Sequence, residues 1–398
     1  MKREKNNKKN KQKLYGVIAG TLLIVLTIII PGVVADTPSL PTRGNPGMAY
    51  DSESDVIVIF GGWNTSTTPG DGPRDTWIYD FNADTYTKKT PAPAPRRRAE
   101  SCMVYDSLRD RIVLFGGLEN WTVSGERNDT WIYDYNSDTW TELFPVSAPS
   151  ERRAAQMAYD SESDRIILFG GMDGFPYPSA TFYNETWAYN PGSNTWQKMS
   201  PVLSPRARTN HFMSYDSESD RIILFGGCPG LAYGSLYETW AYDYNSDIWV
   251  NLTSNIHPSK RSEHKMAYDS ESDRIVLFGG GTETVTYGDT WLYNYNNNSW
   301  EQMNPATSPT PRVRHAAAYD SESDRVIIYG GTYDPWPAGT SMVSTDKTWA
   351  YDVNTDSWTE VDVGDTGGDN GIPGYNILFL IGTLSIIVIM ITKKNKKS

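Results

Sequence analysis

One string recurs six times along this chain, and it restricts the fold more than any bulk property does. Tyr-Asp marks each copy, at Tyr50, Tyr105, Tyr159, Tyr215, Tyr268 and Tyr319, with intervals of 55, 54, 56, 53 and 51 residues. In five copies the Asp opens Asp-Ser-Glu-Ser-Asp; only Asp106-Ser107-Leu108-Arg109-Asp110 departs. A β-branched run follows, ending in an aromatic and two glycines: VIVIFGG, RIVLFGG, RIILFGG twice, RIVLFGG and RVIIYGG. After a variable stretch comes Thr-Trp-x-Tyr, at Trp77, Trp131, Trp187, Trp240, Trp291 and Trp349. A second aromatic stands nine residues later, at Tyr86, Trp140, Trp196, Trp249, Trp300 and Trp358. Eleven of the 14 tryptophans are therefore repeat positions. A unit of this length cannot bury an apolar face alone, so the copies must pack on one another.

Each unit reads as four short strands. Strand a surrounds Met-Ala-Tyr, and Asp-Ser-Glu-Ser-Asp supplies turn-forming residues after it. The unbroken apolar run is strand b, buried on both faces. Thr-Trp-x-Tyr-Asp is strand c, a turn such as Tyr-Asn-Ser-Asp follows, and the second aromatic opens strand d. Four antiparallel strands per unit with glycine and tryptophan markers indicate a β-propeller blade. The pattern resembles kelch repeats: an Arg ahead of strand a, the double glycine closing strand b, and spaced Tyr and Trp in strands c and d. The resemblance covers about residues 40–363 and implies an all-β fold, a six-bladed propeller with one blade per repeat. The chain enters at strand a and finishes at strand d of the sixth unit, so a shared blade is not evident, though residues 36–42 are candidates to help close the ring.

The formal net charge of −12 averages over unlike segments. Residues 1–13 hold seven Lys/Arg and one acid, and 393–398 hold four lysines. Between them lie 25 basic and 47 acidic residues, a net of −22. So acidic a body argues against a nucleic-acid partner, because phosphate binding needs a cationic face. An aromatic content of 13% argues against disorder, and two cysteines rule out a disulfide scaffold.

Residues 14–35 are uncharged and follow the basic head, the layout of a signal peptide or N-terminal signal anchor, with Val33-Val34-Ala35 as a cleavage site. Residues 370–392 are also uncharged and meet Lys393-Lys394. A helix over 375–392 would be about 27 Å long, close to a bilayer core of ~30 Å. The reading is a signal segment over 1–35, a propeller over 36–363, a linker over 364–373, a transmembrane helix over 374–392 and a basic tail over 393–398. Gly371-Ile372-Pro373-Gly374-Tyr375, the apolar run and the lysines resemble the C-terminal sorting signals of archaeal and bacterial surface proteins. By the positive-inside rule both basic ends are cytoplasmic and the propeller extracellular at the plasma membrane.

Strands alternate in direction, so the a–b and c–d turns share one face of the disc. The b–c loops and d–a connections share the other. Turns repeat almost unchanged, whereas the spacing from the second glycine to the strand-c Trp is 15, 14, 16, 13, 11 and 18 residues. Variable loops on a repeat scaffold are the usual place of recognition. Those loops carry Trp63, Trp121, Tyr177, Tyr233 and Trp336, candidates for stacking on a ligand. Arg43, Arg98, Arg152, Arg208, Arg261 and Arg312 each stand seven residues before the marker Tyr. They form either a ring that grips carboxylates bidentately or a strut needed equally in every blade. Their presence in all six units favours the strut.

His211, His264 and His315 share one repeat position, held elsewhere by Pro46, Ser101 and Ala155. Packing suits them better than metal ligation, and no metal or cofactor is expected. The Asp-Ser-Glu-Ser-Asp turns lack the Gly and distal Glu of an EF-hand loop, so solvated turns are expected in place of calcium sites. Asn64, Asn120, Asn128, Asn184, Asn251 and Asn297 stand in Asn-x-Ser/Thr sequons and are N-glycosylation candidates on an exported chain. Cys102 and Cys228 fall in different strand contexts two blades apart, which disfavours a bridge.

No nucleophile–base constellation is evident. The expectation is a membrane-anchored, non-catalytic module binding a protein or glycan through its b–c and d–a loops. Its rivals are a carbohydrate-active kelch enzyme and a self-associating envelope component. Galactose oxidase needs a copper site that neither cysteine matches, while a mutarotase-like site would need charged residues in the central channel. Sialidase Asp-boxes are absent.

Overall fold

In the computed structural model, the described residues are 40–63, 73–119, 125–174, 180–230, 234–333 and 343–361. Each repeat forms one four-stranded antiparallel sheet in the order a-b-c-d. The a strands are Gly47–Asp51, Cys102–Asp106, Gln156–Asp160, Phe212–Asp216, Lys265–Asp269 and Ala316–Asp320. They neighbour one another in a closed circle, the first touching both the second and the sixth. The result is a six-bladed propeller with strand a at the axis, and no helix occurs among the described residues. Two b–c loops carry more than the four-strand pattern predicts. Met172–Asp173 pairs with Thr181–Phe182, and Thr332–Tyr333 pairs with Val343–Ser344.

Both turns of a blade use the same chemistry. The first Asp of the a–b turn accepts backbone N–H groups two and three residues on, as Asp51 Oδ1 does from Glu53 and Ser54, each at 3.1 Å. The last Asp adopts a left-handed backbone, with φ between 48° and 55° at Asp55, Asp110, Asp164, Asp220, Asp273 and Asp324. Asp tolerates that region because its short polar side chain bonds locally. Here the marker Tyr of the strand donates to it, as from Tyr50 to Asp55 at 2.8 Å. The strand-c Tyr repeats the arrangement five residues on, as from Tyr133 to Asp138 at 2.8 Å. The acidic turns are hydrogen-bonded hairpin tips.

The one departing turn has a structural reason. In the other blades an Asn of the c–d turn donates to the last Asp of the a–b turn, as Asn136 does to Asp110 at 2.8 Å. Blade three has Gly192 there. Arg109 of blade two replaces the Asn, holding Asp164 bidentately at 2.8 and 2.7 Å. A Cβ on Gly192 would come within 2.9 Å of that guanidinium.

The core lies between blades. The aromatic before each double glycine packs on the second aromatic of the next blade, as Phe60 on Trp140 at 5.1 Å and Phe225 on Trp300 at 5.1 Å. That tryptophan then donates to the strand-c Thr of the preceding blade. Trp140 reaches Thr76 at 2.9 Å, Trp249 reaches Thr186 at 2.9 Å and Trp358 reaches Thr290 at 2.9 Å. A buried indole N–H needs such a partner.

The closing junction uses a different pair. Tyr329 stands where the other blades have Phe, and it meets Tyr86, which stands where they have Trp, at 5.9 Å. Tyr86 shares a hydrogen bond with Thr348 at 2.8 Å, and Tyr329 donates to the carbonyls of Leu40 and Pro41 at 3.0 and 2.8 Å. Leu40 is buried in the same cluster. Residues 40–41 thus take part in closing the ring, while each blade remains a continuous segment of chain.

Candidate functional site

The loop face is built on the six arginines. Each donates Nη1 to the carbonyl of the first glycine of its own blade, 18 residues on, at 2.8–3.1 Å. The second glycine N–H then donates to the arginine carbonyl of the next blade. Gly62 bonds Arg98 at 2.9 Å, and Gly331 bonds Arg43 at 3.3 Å to complete the circle. The double glycine is needed because both members have positive φ, 66° and 100° in the first blade, and a Cβ on Gly61 would lie 2.2 Å from the Arg98 carbonyl. Five arginines also bind an acid just before strand c: Asp75 at 3.0 Å, Asp129 at 2.6 Å, Glu185 at 2.8 Å, Glu238 at 2.5 Å and Asp289 at 2.7 Å. Arg312 is held by Gly330 and Thr310. Burial pushes the Asp129 carboxyl up, but Arg98 and the Trp131 N–H outweigh it and hold it low. All six arginines are 0–1% exposed. Each guanidinium is engaged within the scaffold, and none of the six faces solvent.

A second circle runs nearer the axis. Two residues after each arginine stand Asn45, Glu100, Ala154, Asn210, Glu263 and Arg314, all with φ between 50° and 61°. Each backbone N–H donates to the equivalent carbonyl of the preceding blade, at 2.7–3.2 Å, and Asn45 to Arg314 closes the loop. Nothing in those residue types announces it. The histidines follow one position on. His211, His264 and His315 are buried edge-on to Phe169, Phe225 and Phe278 of the preceding blade at 5.5–5.6 Å. Burial holds each well below its ordinary pKa, so they are neutral packing groups. Among the described residues no cluster of His, Cys, Asp and Glu has metal-binding geometry.

Of the aromatic candidates, Trp63 is half-buried and its backbone pairs with Gly44 at 2.7 and 3.1 Å. Trp121, Tyr177, Tyr233 and Trp336 lie outside the described residues, as do Asn64 and Asn120. Asn128, Asn184, Asn251 and Asn297 are exposed. Both cysteines are free thiols, Cys102 buried and Cys228 half-buried. The apolar runs at 14–35 and 374–392 lie outside the described residues.

Sequence reasoning passed over the most exposed apolar groups of this face. Phe144 and Val146, Val202 and Leu203, and Ile256 project from the d–a connections that follow blades two, three and four. Val146 and Val202 are fully exposed, at 102% and 107%. Tyr237 joins them, stacked on His257 at 4.7 Å. Their blade-to-blade recurrence and their place on the d–a face were readable in the sequence, but their exposure was not.

The ring of four-stranded sheets, locked by arginine and double glycine, defines the class as a kelch-type β-propeller. A model of the KLHDC2/KLHL20/DRC7 Kelch-repeats domain matches residues 31–206 and 201–373, and the chain belongs to that kelch-repeat family. Kelch domain-containing protein 10 of Homo sapiens is 23% identical over 309 residues, covering 73% of this chain and 67% of its own. The Xenopus laevis protein of that name is 22% identical over 311 residues, covering 74% and 72%. The flagellar outer arm dynein alpha chain of Chlamydomonas reinhardtii is 28% identical over 310 residues, 66% of this chain but 6% of the dynein.

Proposed function

We propose that this propeller is a binding module, without catalysis of its own, whose loop face takes a protein ligand. The observation that carries the reading is the contrast between its faces. The turn face is six near-copies of one hydrogen-bonded tip, whereas the loop face varies in length and presents Phe144, Val146, Val202, Leu203 and Ile256 to solvent. Apolar groups grouped on one face mark interaction sites more than isolated ones do. The buried arginines act as scaffold in this proposal. A glycan is the alternative ligand, and stacking on the loop aromatics would be its mode. The proposal places the propeller outside a membrane, tethered through 14–35 or 374–392, in keeping with the basic ends and acidic middle.

The test is a screen of the propeller, residues 36–365, against peptide and glycan arrays, beside a Val146→Ser/Val202→Ser/Ile256→Ser variant. A selective peptide ligand lost in the variant, at unchanged thermal stability, supports the reading. No selective ligand together with ordered self-association contradicts it.

A further inference from the structure

The axis holds a feature that neither face explains. From the turn face, a cavity of about 390 Å³ runs inward between the a strands. Its mouth is ringed by the marker tyrosines and by serines such as Ser52 and Ser161, and its wall is mostly methionine and alanine. At the inner end it adjoins a smaller space of about 40 Å³, with which it shares Met48, Met103, Phe212 and Ala317. Lys265 lines that inner space with Cys102 and Gln156. Beyond it the circle of backbone hydrogen bonds through Asn45 and Glu263 narrows the axis to a space of about 20 Å³.

Lys265 is the one lysine or arginine lining these three spaces. Its ammonium lies 5.0 Å from the Phe212 ring centre and makes no hydrogen bond or ion pair with a described residue. The two carboxylates nearest in charge, Glu263 and Glu100, are taken by Arg314 at 3.0 Å and Arg153 at 2.9 Å. His264 and His315, the other titratable neighbours, are neutral. The Cys102 thiol is pushed up to about 12 by burial and stays protonated. Lys265 is half-buried. Loss of solvation lowers it to about 8 against the opposing pull of Glu263, Cys102 and Glu100, so a minority, about a quarter at pH 7.5, is free amine. A lysine with a lowered pKa beside an apolar channel keeps a reactive free-amine fraction, which is how proteins activate lysine as a nucleophile.

We propose that Lys265 is a carbonyl-capture site, taking linear aliphatic aldehydes through the axial channel and holding them as an imine. The amine lone pair adds to the carbonyl carbon, giving a carbinolamine. Loss of water then leaves a C=N bond between Nζ and the former carbonyl carbon. Nothing is oxidised or reduced, and hydrolysis returns aldehyde and lysine. The alkyl chain lies against Met48 and Met103, and a neutral ligand passes the acidic turn face without electrostatic penalty.

The experiment treats the full-length chain with octanal and sodium cyanoborohydride at pH 7.5 and maps the reduced adducts by mass spectrometry. Lys265 is expected to be labelled at least about tenfold faster than the exposed Lys88, Lys198 and Lys347, because its lowered pKa leaves more of it as free amine. The preference should vanish in urea, and Lys265→Arg should lose only that adduct at unchanged thermal stability. Labelling of Lys265 no faster than the surface lysines, or a preference that survives urea, would overturn the proposal.

Discussion

Replacing Arg98 by Met keeps most of the side-chain volume and removes one guanidinium from the loop-face lattice. Four hydrogen bonds go with it: to Asp129 at 2.6 and 2.8 Å, to the Gly116 carbonyl at 3.0 Å and to the Arg96 carbonyl at 3.1 Å. Breaking a buried ion pair by deleting one partner costs about 3–5 kcal/mol, because the other charge is left uncompensated. Asp129 is 21% exposed and keeps the Trp131 N–H at 2.7 Å, which places the effect near the lower limit. The orphaned Gly116 carbonyl adds about 1 kcal/mol. A loss of about 3–4 kcal/mol is therefore expected in urea unfolding followed by tryptophan fluorescence. The double variant Arg98→Met/Asp129→Leu should recover part of it, since no lone charge remains. A loss below about 1 kcal/mol, or a double variant less stable than the single, would refute the strut assignment.

Other perturbations probe separate parts of the lattice. Ala154 sits in the inner circle at φ 52°, so Ala154→Gly should be neutral or stabilising by up to about 1 kcal/mol in the same unfolding assay, relief of the left-handed strain offsetting the glycine's entropy. Tyr329→Phe removes the donor to the Leu40 and Pro41 carbonyls. It should cost about 1–2 kcal/mol and speed amide exchange at the first-to-sixth blade junction before any other junction. Burial raises Glu185, but Arg152, Lys198 and the Trp187 N–H together bring it down to about 2. A carboxyl depressed in the folded state contributes stability that is full above its unfolded value of ~4.3 and is lost as pH falls. The stability gap between the native chain and Glu185→Gln should thus shrink steadily from pH 5 to pH 2; a constant gap would contradict the pairing.

The blades were readable because their signals are local. Strand b is an unbroken apolar run and lands at Val56–Phe60 and its five equivalents. What stayed hidden is set by relations between blades. Six arginines look the same in sequence whether they grip a ligand or brace a sheet, and their burial and bonds to the double glycines come only from the folded chain. The inner circle draws on Asn, Glu, Ala and Arg alike, so its left-handed backbone leaves no residue signature. Tyr86 and Tyr329 were visible as single exceptions to Trp and Phe, yet that they are partners follows only from ring closure. Arg109 and Gly192 are the same case, two departures in adjacent blades that compensate each other. Lys265 was legible in principle as the one charged residue opening a strand a, had those first positions been compared across the repeats.

The direct test of the functional account is a hydrogen-exchange footprint of the propeller with the peptide that an array screen selects. The account predicts protection at 144–148, 202–204, 234–238 and 255–258, with the Asp-Ser-Glu-Ser-Asp turns unchanged. Protection confined to those turns, with the loop face exchanging as in the free protein, would contradict it.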